Sequence, residues 1–555
     1  MAAYSAAFGD GPEMTYVNMI KPELARRYAA SGAWTNKTFF EYVEAAAAAH
    51  PQREVFADAA RRISYGALKD EIIRCAELYR RIGIKRGDVV TVQLPNRIEF
   101  AVAFFALELI GAIANKVNPD FRARELDYIL KFSGSRAYVF PREFRGFDYL
   151  AMARSLKESV PGLAHLIVAG EATEGVRSLN DLHSTPPLAA EHRVRMDPNE
   201  VCRMAFTSGT TGDPKCVLHN FNTTIYAPWL LNRDMAVTAD DVLLVYLPVG
   251  LNWGYICLMQ TIMAGARAVL MERFSARAAL ETIQREKVTY IATSPAAIVS
   301  ILDDPELDRF DLSSLRVVIT GGASAAIETI RAYQAHAKGH LIELYGMLET
   351  GFHSYTRFSD DPAKVNGTIG RVVGDMELRI LDADGNDVPH GTVGEIAARG
   401  PSVHLGYHDN PAANAASFTT DGWFRTGDLG RFVDAAGNVQ LSGRSKEIIN
   451  RGGKKFFPRE VEEILYTHPD VLHAAMVGLP DTRLGERNCL CVIPKSGRDL
   501  SLDAAVGFLK GQIADYKLPE SIERFEEFPM TGTGKIRRHV LRDWVLARHK
   551  SPAAS

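Results

Sequence analysis

A short run of hydroxyls, glycines and one lysine has the composition of a phosphate-binding loop. Glycines let backbone N–H groups approach anionic oxygens, hydroxyls donate hydrogen bonds, and a lysine supplies positive charge. The run lacks the Gly-Lys-Ser or Gly-Lys-Thr ending of a Walker A loop, so it is a different kind of loop. Taken alone, it also fits a mobile surface loop. It consists of Thr207, Ser208, Gly209, Thr210, Thr211, Gly212, Asp213, Pro214 and Lys215.

Five further motifs follow this loop in order along the chain. They are Gly321-Gly322-Ala323-Ser324, Leu344-Tyr345-Gly346-Met347-Leu348-Glu349, Trp423-Phe424-Arg425-Thr426-Gly427-Asp428, Gly443-Arg444-Ser445-Lys446-Glu447 and Pro529-Met530-Thr531-Gly532-Thr533-Gly534-Lys535. The ordered set resembles the acyl-adenylate-forming enzymes, which comprise acyl-CoA synthetases, peptide-synthetase adenylation domains and luciferase-type enzymes. The resemblance covers nearly the whole chain. It implies an acid–thiol ligase that uses ATP and Mg²⁺ to form an acyl-adenylate, then transfers the acyl group to coenzyme A.

The resemblance also implies roles for single residues. Tyr345 stacks on adenine, Gly346 allows close backbone approach, Asp428 accepts from the ribose hydroxyls, and Glu349 is the Mg²⁺ ligand and a catalytic residue. Without the resemblance, these residues also fit a core tyrosine, a turn and a solvated charge. The implied ATP- and AMP-binding residues are Thr207, Ser208, Gly209, Thr210, Thr211, Lys215, Gly322, Ala323, Ser324, Tyr345, Gly346, Asp428 and Arg444.

Lys535 is the other implied catalytic residue. Activation of a carboxylate brings one anion against another at the α-phosphate, and a cation between the two oxygens offsets the developing charge. Without the resemblance, a lysine beside glycines is more often an exposed loop residue. The resemblance also implies that a small C-terminal domain rotates about Lys446 between the two steps. It then brings a CoA-binding segment toward the thiol channel, namely Gly452, Gly453, Lys454 and Lys455. That segment also fits a tight turn with solvated lysines.

The acyl pocket is predicted in the segment that follows Leu247-Pro248. The predicted pocket residues are Val249, Leu251, Asn252 and Trp253. Leu251 stands where the family commonly has His, and Trp253 is bulky enough to shorten the pocket. Leu348 replaces the family's Thr before the motif glutamate, which removes a hydroxyl expected near the α-phosphate. The resemblance favours a short- to medium-chain, alicyclic or aryl acid.

The order of the helices and strands that must position these residues predicts an α/β fold. Helical and β-rich segments alternate up to about residue 434, which indicates layered subdomains with mostly parallel sheets. Glycine-containing turns between short strands indicate a small β-rich subdomain at about 370–445. The predicted division is a large adenylation domain at 1–445 and a small mobile α+β domain at 446–555. Helices are predicted over Phe100–Ala114 and Ala504–Ala514.

Composition argues against several classes of function. The 555 residues carry a formal net charge of −3, with 46% hydrophobic and 24% charged residues. This balance does not indicate a nucleic-acid or anionic-membrane partner. No signal-peptide pattern is present, and the apolar stretch at 100–114 is too short to span a bilayer. Six scattered cysteines favour a reducing cytoplasm. The oligomeric state stays open, a homodimer included.

Other interpretations of the sequence assign a different acceptor for the acyl group, no catalytic activity, or a different reaction. The chain also fits an adenylating enzyme that loads a separate carrier-protein thiol instead of CoA. A catalytically silent nucleotide-binding relic is the second alternative, and Leu348 favours it. The joint presence of five motif residues argues against a relic, namely Lys215, Glu349, Asp428, Arg444 and Lys535. A kinase-type phosphoryl transferase is disfavoured because neither a Walker A loop nor a kinase signature is present.

Overall fold

The computed structural model describes residues 16–207, 214–321, 327–337, 339–444, 447–531 and 535–550. The first part of the chain alternates helices with mostly parallel strands, as predicted. Its elements are α1 (Pro22–Ala30), α2 (Phe39–Ala49), β1 (Glu54–Ala57), β2 (Arg62–Ser64), α3 (Tyr65–Arg81), β3 (Val89–Val92), α4 (Ile98–Ala106), β4 (Ile113–Lys116), α5 (Ala123–Phe132), β5 (Ser135–Pro141), β6 (Glu143–Phe144), β7 (Phe147–Asp148), α6 (Tyr149–Ser159), β8 (His165–Ala169), β9 (Arg177–Ser178), β10 (Val201–Phe206), β11 (Cys216–Asn220), α7 (Phe221–Asp234), β12 (Val242–Val245) and α8 (Asn252–Ala264).

The rest of the chain continues this alternation and then changes to antiparallel strands with few helices. Its elements are β13 (Arg267–Leu270), α9 (Ala276–Glu286), β14 (Tyr290–Thr293), α10 (Pro295–Leu302), β15 (Val317–Gly321), α11 (Ile327–His336), β16 (His340–Met347), β17 (Gly351–Tyr355), α12 (Pro362–Val365), β18 (Arg371–Val372), β19 (Glu377–Leu381), β20 (Gly394–Arg399), β21 (Gly406–Tyr407), α13 (Pro411–Ser417), β22 (Phe424–Phe432), β23 (Val439–Arg444), β24 (Ile449–Arg451), β25 (Lys454–Phe456), α14 (Pro458–Leu465), β26 (Val471–Asp481), β27 (Gly485–Pro494), α15 (Leu502–Leu509), β28 (Ser521–Arg524) and α16 (Arg538–Lys550).

Two large sheets carry the candidate site at the ends of interior strands. One has the order β18-β17-β16-β15-β14-β12-β13-β1-β2, and the other β21-β11-β10-β4-β3-β5-β8-β9. β10 leads directly into Thr207, β15 ends at Gly321, and β16 ends two residues before Glu349. Ligand sites in open α/β sheets form outside the carboxyl ends of the strands. The topology therefore brings three of the sequence motifs to strand ends where such a site is expected.

Smaller sheets form the C-terminal third. β19, β20, β22 and β23 make an antiparallel sheet inside the predicted β-rich segment. β25, β24, β27 and β26 make another, and β28 joins β27 in parallel. α14 packs on β26 through Val461 and Leu465, which are fully buried with Met476 and Leu490. This last unit has its own apolar core, as expected of a separate domain.

The largest apolar cluster joins both large sheets to α3, α4, α7 and α8. α3 is amphipathic, and its first turn is capped by Ser64 Oγ, which accepts from Ala67 N. α8 is buried along most of its length, so it has no polar face to orient it. Its end is instead fixed by Gly265, which adopts φ +66°. α8 begins at Asn252, so this packing also fixes the predicted acyl-pocket segment.

Two predicted helix boundaries are wrong. The helix predicted over Phe100–Ala114 ends at Ala106 and passes through a 3₁₀ turn to Gly111, which has φ +71°. Because that conformation ends a helix, the apolar run continues as β4. The helix predicted over Ala504–Ala514 ends at Leu509, since Lys510 is extended and Gly511 has φ +83°. Apolar content alone does not locate such ends.

All six cysteines are buried and none is in a disulfide. Cys489 and Cys491 lie on the same face of β27, as their spacing predicts, and pack with Leu541 and Val545. In the part of the chain that the structure describes, no helix has the length and apolar character needed to cross a membrane.

Candidate active site

The described ends of the phosphate loop lie side by side. Thr207 N donates to Lys215 O at 3.0 Å, and Lys215 N donates to Thr207 Oγ1 at 3.1 Å. β10 and β11 are antiparallel neighbours, so the chain leaves and returns at the same sheet position. The predicted residues Ser208, Gly209, Thr210, Thr211, Gly322, Ala323, Ser324 and the hinge residue Lys446 lie outside the described residues.

Tyr345, Asp428 and Arg444 form one hydrogen-bonded set. The register of β22 and β23 places Asp428 opposite Arg444. The Tyr345 hydroxyl donates to Asp428 Oδ2 at 2.5 Å, and Arg444 Nε donates to Oδ1 at 3.1 Å. Burial raises the pKa of Tyr345 well above its ordinary value, and the negative charge of Asp428 raises it further. The phenol therefore stays a hydrogen-bond donor. The structure thus brings together three predicted nucleotide-binding residues.

Gly346 lies where no other residue fits without a shift. An ideal Cβ there would be 2.0 Å from the carbonyl oxygen of Gly351 on the neighbouring strand. Real Cβ atoms do not approach backbone this closely, so the glycine is fixed by strand packing. The Tyr345 ring lies 4.7 Å from the buried His353 ring, centroid to centroid. Burial lowers the pKa of His353 to about 3, which keeps this imidazole neutral.

Glu349 is held by a residue that the sequence does not single out. Tyr407 OH donates to Glu349 Oε1 at 3.1 Å, and the Lys215 amine lies 4.5 Å from the centre of the Tyr407 ring. Burial raises the pKa of Glu349, while the hydrogen bond from Tyr407 and the charges of Lys215 and Arg444 act the other way. Tyr407 and Glu349 are 58 positions apart, so no local pattern joins them.

Lys535 approaches the same residues from the C-terminal part of the chain. Its turn is closed by Thr531, whose N–H donates to Lys535 O at 2.7 Å and whose Oγ1 accepts from Lys535 N at 3.0 Å. Burial and the positive charge of Arg444 lower the pKa of Lys535, whereas Asp428 and Glu349 act to raise it. The half-buried Lys535 is therefore within electrostatic range of residues from β22, β23 and the β16–β17 turn.

An ion pair between the half-buried Arg538 and the buried Glu462 holds the start of α16, three residues after Lys535. Arg538 donates to both carboxylate oxygens of Glu462 at 2.5 and 2.8 Å and to Met476 O at 3.2 Å. The Arg538 Nε atom lies 3.3 Å from a Glu447 carboxylate oxygen. Such bidentate pairs fix geometry as well as charge. The sequence does not single out Arg538, because its partners are 62 or more positions away.

The predicted acyl-pocket residues surround the start of α8. Val249 N donates to Asn96 Oδ1 at 2.9 Å, which fixes the loop before Leu251 and Asn252. The Trp253 ring lies so close to β15 that an ideal Cβ on Gly321 would be 3.0 Å from Trp253 Cη2. The ring also contacts Phe352 edge-on, with centroids 5.7 Å apart. Trp253 thus packs across this sheet from β15 to β17, the two strands on either side of β16.

The predicted CoA segment is a turn between β24 and β25. Gly452 and Gly453 adopt φ +61° and +81°, which favours glycine at both positions. A Cβ on Gly453 would meet no atom within 4 Å, so this position faces open space. Lys454 and Lys455 are exposed, and the Lys454 amine lies 5.2 Å from the centre of the Tyr516 ring.

The described residues fit a metal ion only together with a nucleotide. Among them, no group of three or more His, Cys, Asp or Glu side chains could hold a metal ion. Mg²⁺ is usually bound by one or two carboxylates together with substrate phosphates and water. Glu349 supplies one such carboxylate beside the phosphate loop, so it fits a cation that arrives with the nucleotide.

Two known protein families together match most of the chain. The AMP-binding enzyme family matches residues 43–408, and the AMP-binding enzyme C-terminal domain matches residues 460–535. The 2,3-dihydroxybenzoate-AMP ligase of Bacillus subtilis is 35% identical over 529 residues, covering 94% of this chain and 96% of its own. The 2-hydroxy-7-methoxy-5-methyl-1-naphthoate–CoA ligase of Streptomyces carzinostaticus is 34% identical over 533 residues, covering 94% and 95%.

A solved structure shows the same architecture. The anthranilate CoA ligase AuaEII, in complex with anthranoyl-AMP, superposes with a TM-score of 0.86. It is 25% identical and covers 93% of this chain and 98% of its own. The predicted α/β fold with a small C-terminal domain is therefore confirmed.

Proposed function

The chain belongs to the AMP-binding family of adenylate-forming ligases, and we propose that it converts an aryl or alicyclic acid to its CoA thioester. ATP supplies the activation, and AMP and pyrophosphate leave. One observation carries the proposal. Lys535, on the C-terminal part, lies within electrostatic range of Arg444, Asp428 and Glu349 on the large part of the chain. Residues of two separate regions thus meet where nucleotide and acid would react.

The first step forms the acyl-adenylate. A carboxylate oxygen of the acid attacks the α-phosphorus, and the bond to the pyrophosphate oxygen breaks. The Lys535 ammonium lies between the two anions and stabilises the charge that develops on them. Asp428 orients the ribose, and Lys215 and the loop bind the triphosphate. A Mg²⁺ ion on Glu349 would neutralise phosphate charge.

The second step transfers the acyl group to a thiol. We propose that the domain 446–555 rotates about Lys446, withdrawing Lys535 from the large domain 1–445. Rotation brings the turn of Gly452, Gly453, Lys454 and Lys455 to the site. The open space beside Gly453 allows a thin pantetheine chain to pass, and the exposed lysines suit CoA phosphates. The thiol attacks the acyl carbon and AMP leaves.

The aryl assignment rests on the wall of the pocket and on the named relatives. Trp253 and Phe352 offer flat apolar surfaces, which suit the faces of a ring. Both relatives named above act on ring acids by their names, as does the anthranilate ligase. The medium-chain fatty-acid–CoA ligase of Escherichia coli is also 30% identical over 530 residues, so chain acids belong in the same substrate panel.

A carrier-protein thiol is the alternative acceptor. One relative is named for AMP and others for CoA, so similarity leaves the acceptor open. The exposed lysines of the β24–β25 turn favour CoA, whose phosphates carry negative charge.

AMP formation from ATP, with and without CoA, tests the proposal against ring, short-chain and fatty acids. We expect CoA-dependent AMP release with ring acids. Acid-dependent exchange of labelled pyrophosphate into ATP without CoA-driven turnover would instead identify a carrier-protein acceptor. No exchange with any acid would identify a nucleotide-binding relic and refute the proposal.

A further inference from the structure

Two basic side chains are buried in the large domain without a carboxylate beside them. Lys116 on β4 is 1% exposed, and Arg203 on the adjacent strand β10 is 2% exposed. Among the residues that the structure describes, no Asp or Glu oxygen lies within 4.0 Å of the Lys116 amine or the Arg203 guanidinium. Buried charges are ordinarily paired, because removing an ion from water is costly. Burial and the positive charge of Arg203 lower the pKa of Lys116 well below its ordinary value, as expected of an amine with no counterion. One buried guanidinium and one buried amine without a carboxylate therefore require an explanation.

Some polar atoms of these two side chains and of their neighbour Tyr255 have no hydrogen-bond partner among the described residues. Arg203 Nε donates to Thr224 Oγ1 at 2.9 Å, but its buried Nη1 has no partner among the described residues. The Lys116 amine reaches Gly250 O at 3.3 Å. Both charges lie near the Tyr255 ring, at 5.6 and 5.7 Å from its centre. The Tyr255 hydroxyl is itself buried and, within the described ranges, without a partner.

His219 completes the set, which we call the buried basic cluster: Lys116, Arg203, His219 and Tyr255. His219 Nε2 donates to Leu348 O at 2.9 Å. Burial and the charge of Arg203 lower the pKa of His219 well below its ordinary value, so it is a neutral donor. The single N–H of the neutral His219 is thus used by Leu348 O, and its Nδ1 accepts from the Thr223 hydroxyl at 3.1 Å. Lys116, Arg203 and Tyr255 offer donors, and no member of the cluster offers a charged acceptor.

Glu108 is the carboxylate whose charge reaches Tyr255, and it is engaged elsewhere. It accepts from Phe40 N at 3.0 Å, and the Thr38 hydroxyl bonds it as well. Burial raises the pKa of Glu108 to about 7, so it is partly protonated near neutral pH. It is therefore not the counterion of the buried basic cluster.

The cluster lies directly behind the predicted acyl pocket. Gly250, which Lys116 contacts, precedes Leu251, and an ideal Cβ on Gly250 would be 2.0 Å from Val117 O. Tyr255 is three residues after Asn252, whose buried Oδ1 lacks a partner in the described part of the chain. On its other side, the cluster reaches the backbone next to Glu349 through the bond to Leu348 O.

We propose that the buried basic cluster binds an anion of carboxylate size. Two sources have this chemistry. One is a second carboxylate on the acid substrate, at the end remote from the reacting group; this source rests on the proposed function. The other is a free small anion such as chloride. Arg203 Nη1, the Lys116 amine and the Tyr255 hydroxyl are the donors available to it.

Thermal unfolding tests the free anion without reference to catalysis. Potassium chloride is exchanged for potassium gluconate at constant ionic strength, so that screening is unchanged. A bound chloride raises the melting temperature of wild type in a saturable way. Arg203→Met and Lys116→Met should lose this response. Arg267→Met is the control, because Arg267 is paired with Glu54 and Glu286 and should keep it.

Pyrophosphate exchange tests the acid as the source. Benzoate is compared with isophthalate and terephthalate, which add one carboxylate to the same ring; cyclohexanecarboxylate is compared with its 1,3- and 1,4-dicarboxylates. If the acid fills the cluster, a dicarboxylate is preferred about tenfold or more in kcat/KM, the range of a hydrogen bond to a charged group. Arg203→Met should remove this preference and leave exchange with the monocarboxylate.

Each outcome decides one question. A saturable chloride response identifies a free ion, and a dicarboxylate preference identifies the substrate. Absence of both in wild type overturns the anion site, even if Arg203→Met does not fold. Exchange with monocarboxylates in that case leaves the proposed function intact. Absence of exchange with every acid refutes the proposed function, while the chloride titration still decides the site.

Discussion

The two sides of the candidate active site are built differently. On the large-domain side, Tyr345, Asp428 and Arg444 bond directly to one another, so a nucleotide meets a set that is already arranged. On the C-terminal side, Lys535 is held by the turn with Thr531 and by the anchor of α16. The difference suggests that nucleotide binding belongs to one domain and that the reactive cation is delivered by the other. Mutations should therefore separate binding from chemistry.

Lys535→Ala should give the largest effect. Loss of a charge that acts only at the transition state is expected to slow adenylation by about 10²- to 10³-fold. ATP affinity should change little, because the large-domain side stays intact. Pyrophosphate exchange measures the first step, and CoA thioester formation from supplied acyl-adenylate measures the second. Equal loss in both steps would contradict the division between the two sides.

Arg538→Met tests the anchor of the delivering side. Breaking the pair leaves the buried Glu462 carboxylate without a cation, although Met476 N still donates to it, so we expect a loss of about 3 kcal/mol of stability in the small domain, the lower end for a buried pair. Adenylation should also fall about tenfold or more, since a pair of this strength holds the segment that carries Lys535. Arg548→Met is the control, because Arg548 lies on the same helix in an exposed pair with Glu523.

A double variant separates position from stability. Arg538→Met with Glu462→Gln removes both charges and keeps an acceptor for Met476 N, which restores much of the stability. If Arg538 positions Lys535, adenylation stays slow in this stable protein. Recovery of the rate together with the melting temperature would mean that Arg538 has a structural role only.

Tyr407 joins two charged groups of the large-domain side, and two substitutions separate its contacts. Tyr407→Phe removes the hydrogen bond to Glu349 and keeps the ring beside Lys215; we expect kcat to fall about tenfold, as for a bond to a charged group. Tyr407→Leu removes the ring as well, so KM for ATP should also rise. Steady-state kinetics with varied ATP measure both. The same KM in both variants would contradict a role for the ring.

The pH profile of adenylation should report Lys535. Its ammonium is the active form, and burial with Arg444 lowers its pKa, so the rate falls as pH rises through a value below that of free lysine. Asp428 acts to raise that pKa. Asp428→Asn should therefore move the alkaline limb to lower pH. A shift to higher pH would exclude Lys535 as the titrating group. The profile is measured at saturating ATP.

The smallest effect is expected at the β24–β25 turn. Lys454→Ala combined with Lys455→Ala removes two exposed charges, each worth roughly 0.2–1 kcal/mol. KM for CoA should rise several-fold, and pyrophosphate exchange should be unchanged. An unchanged KM for CoA would contradict a role for these two lysines in CoA binding.

Much of the large-domain side could be predicted from the sequence. Tyr345, Asp428 and Arg444 lie in ordered motifs, and the structure brings them into direct contact. The contacts of Tyr407 and Arg538 could not be predicted, because their partners are 58 and 76 positions away and set only by sheet and domain packing. A local pattern carries no information about such pairs.

Helix ends and the surroundings of buried polar residues could not be predicted from the sequence. The apolar run at 100–114 predicts burial correctly, but only the φ of Gly111 shows that β4 follows the helix. Lys116 and Arg203 lie within apolar strand patterns. Those patterns do not show that both side chains are buried with no carboxylate beside them. Hydrophobic periodicity predicts which face is inside, and it does not predict what a polar residue meets there.

Because all six native thiols are buried, dyes attached to introduced cysteines can be used to measure domain motion. Buried thiols react slowly with maleimides, whereas a cysteine introduced on an exposed residue reacts quickly. One introduced cysteine at Lys157 and another at Lys510, both exposed, would carry a donor and an acceptor dye with the native cysteines left in place. Fluorescence energy transfer between them would follow rotation of the small domain through a single catalytic cycle.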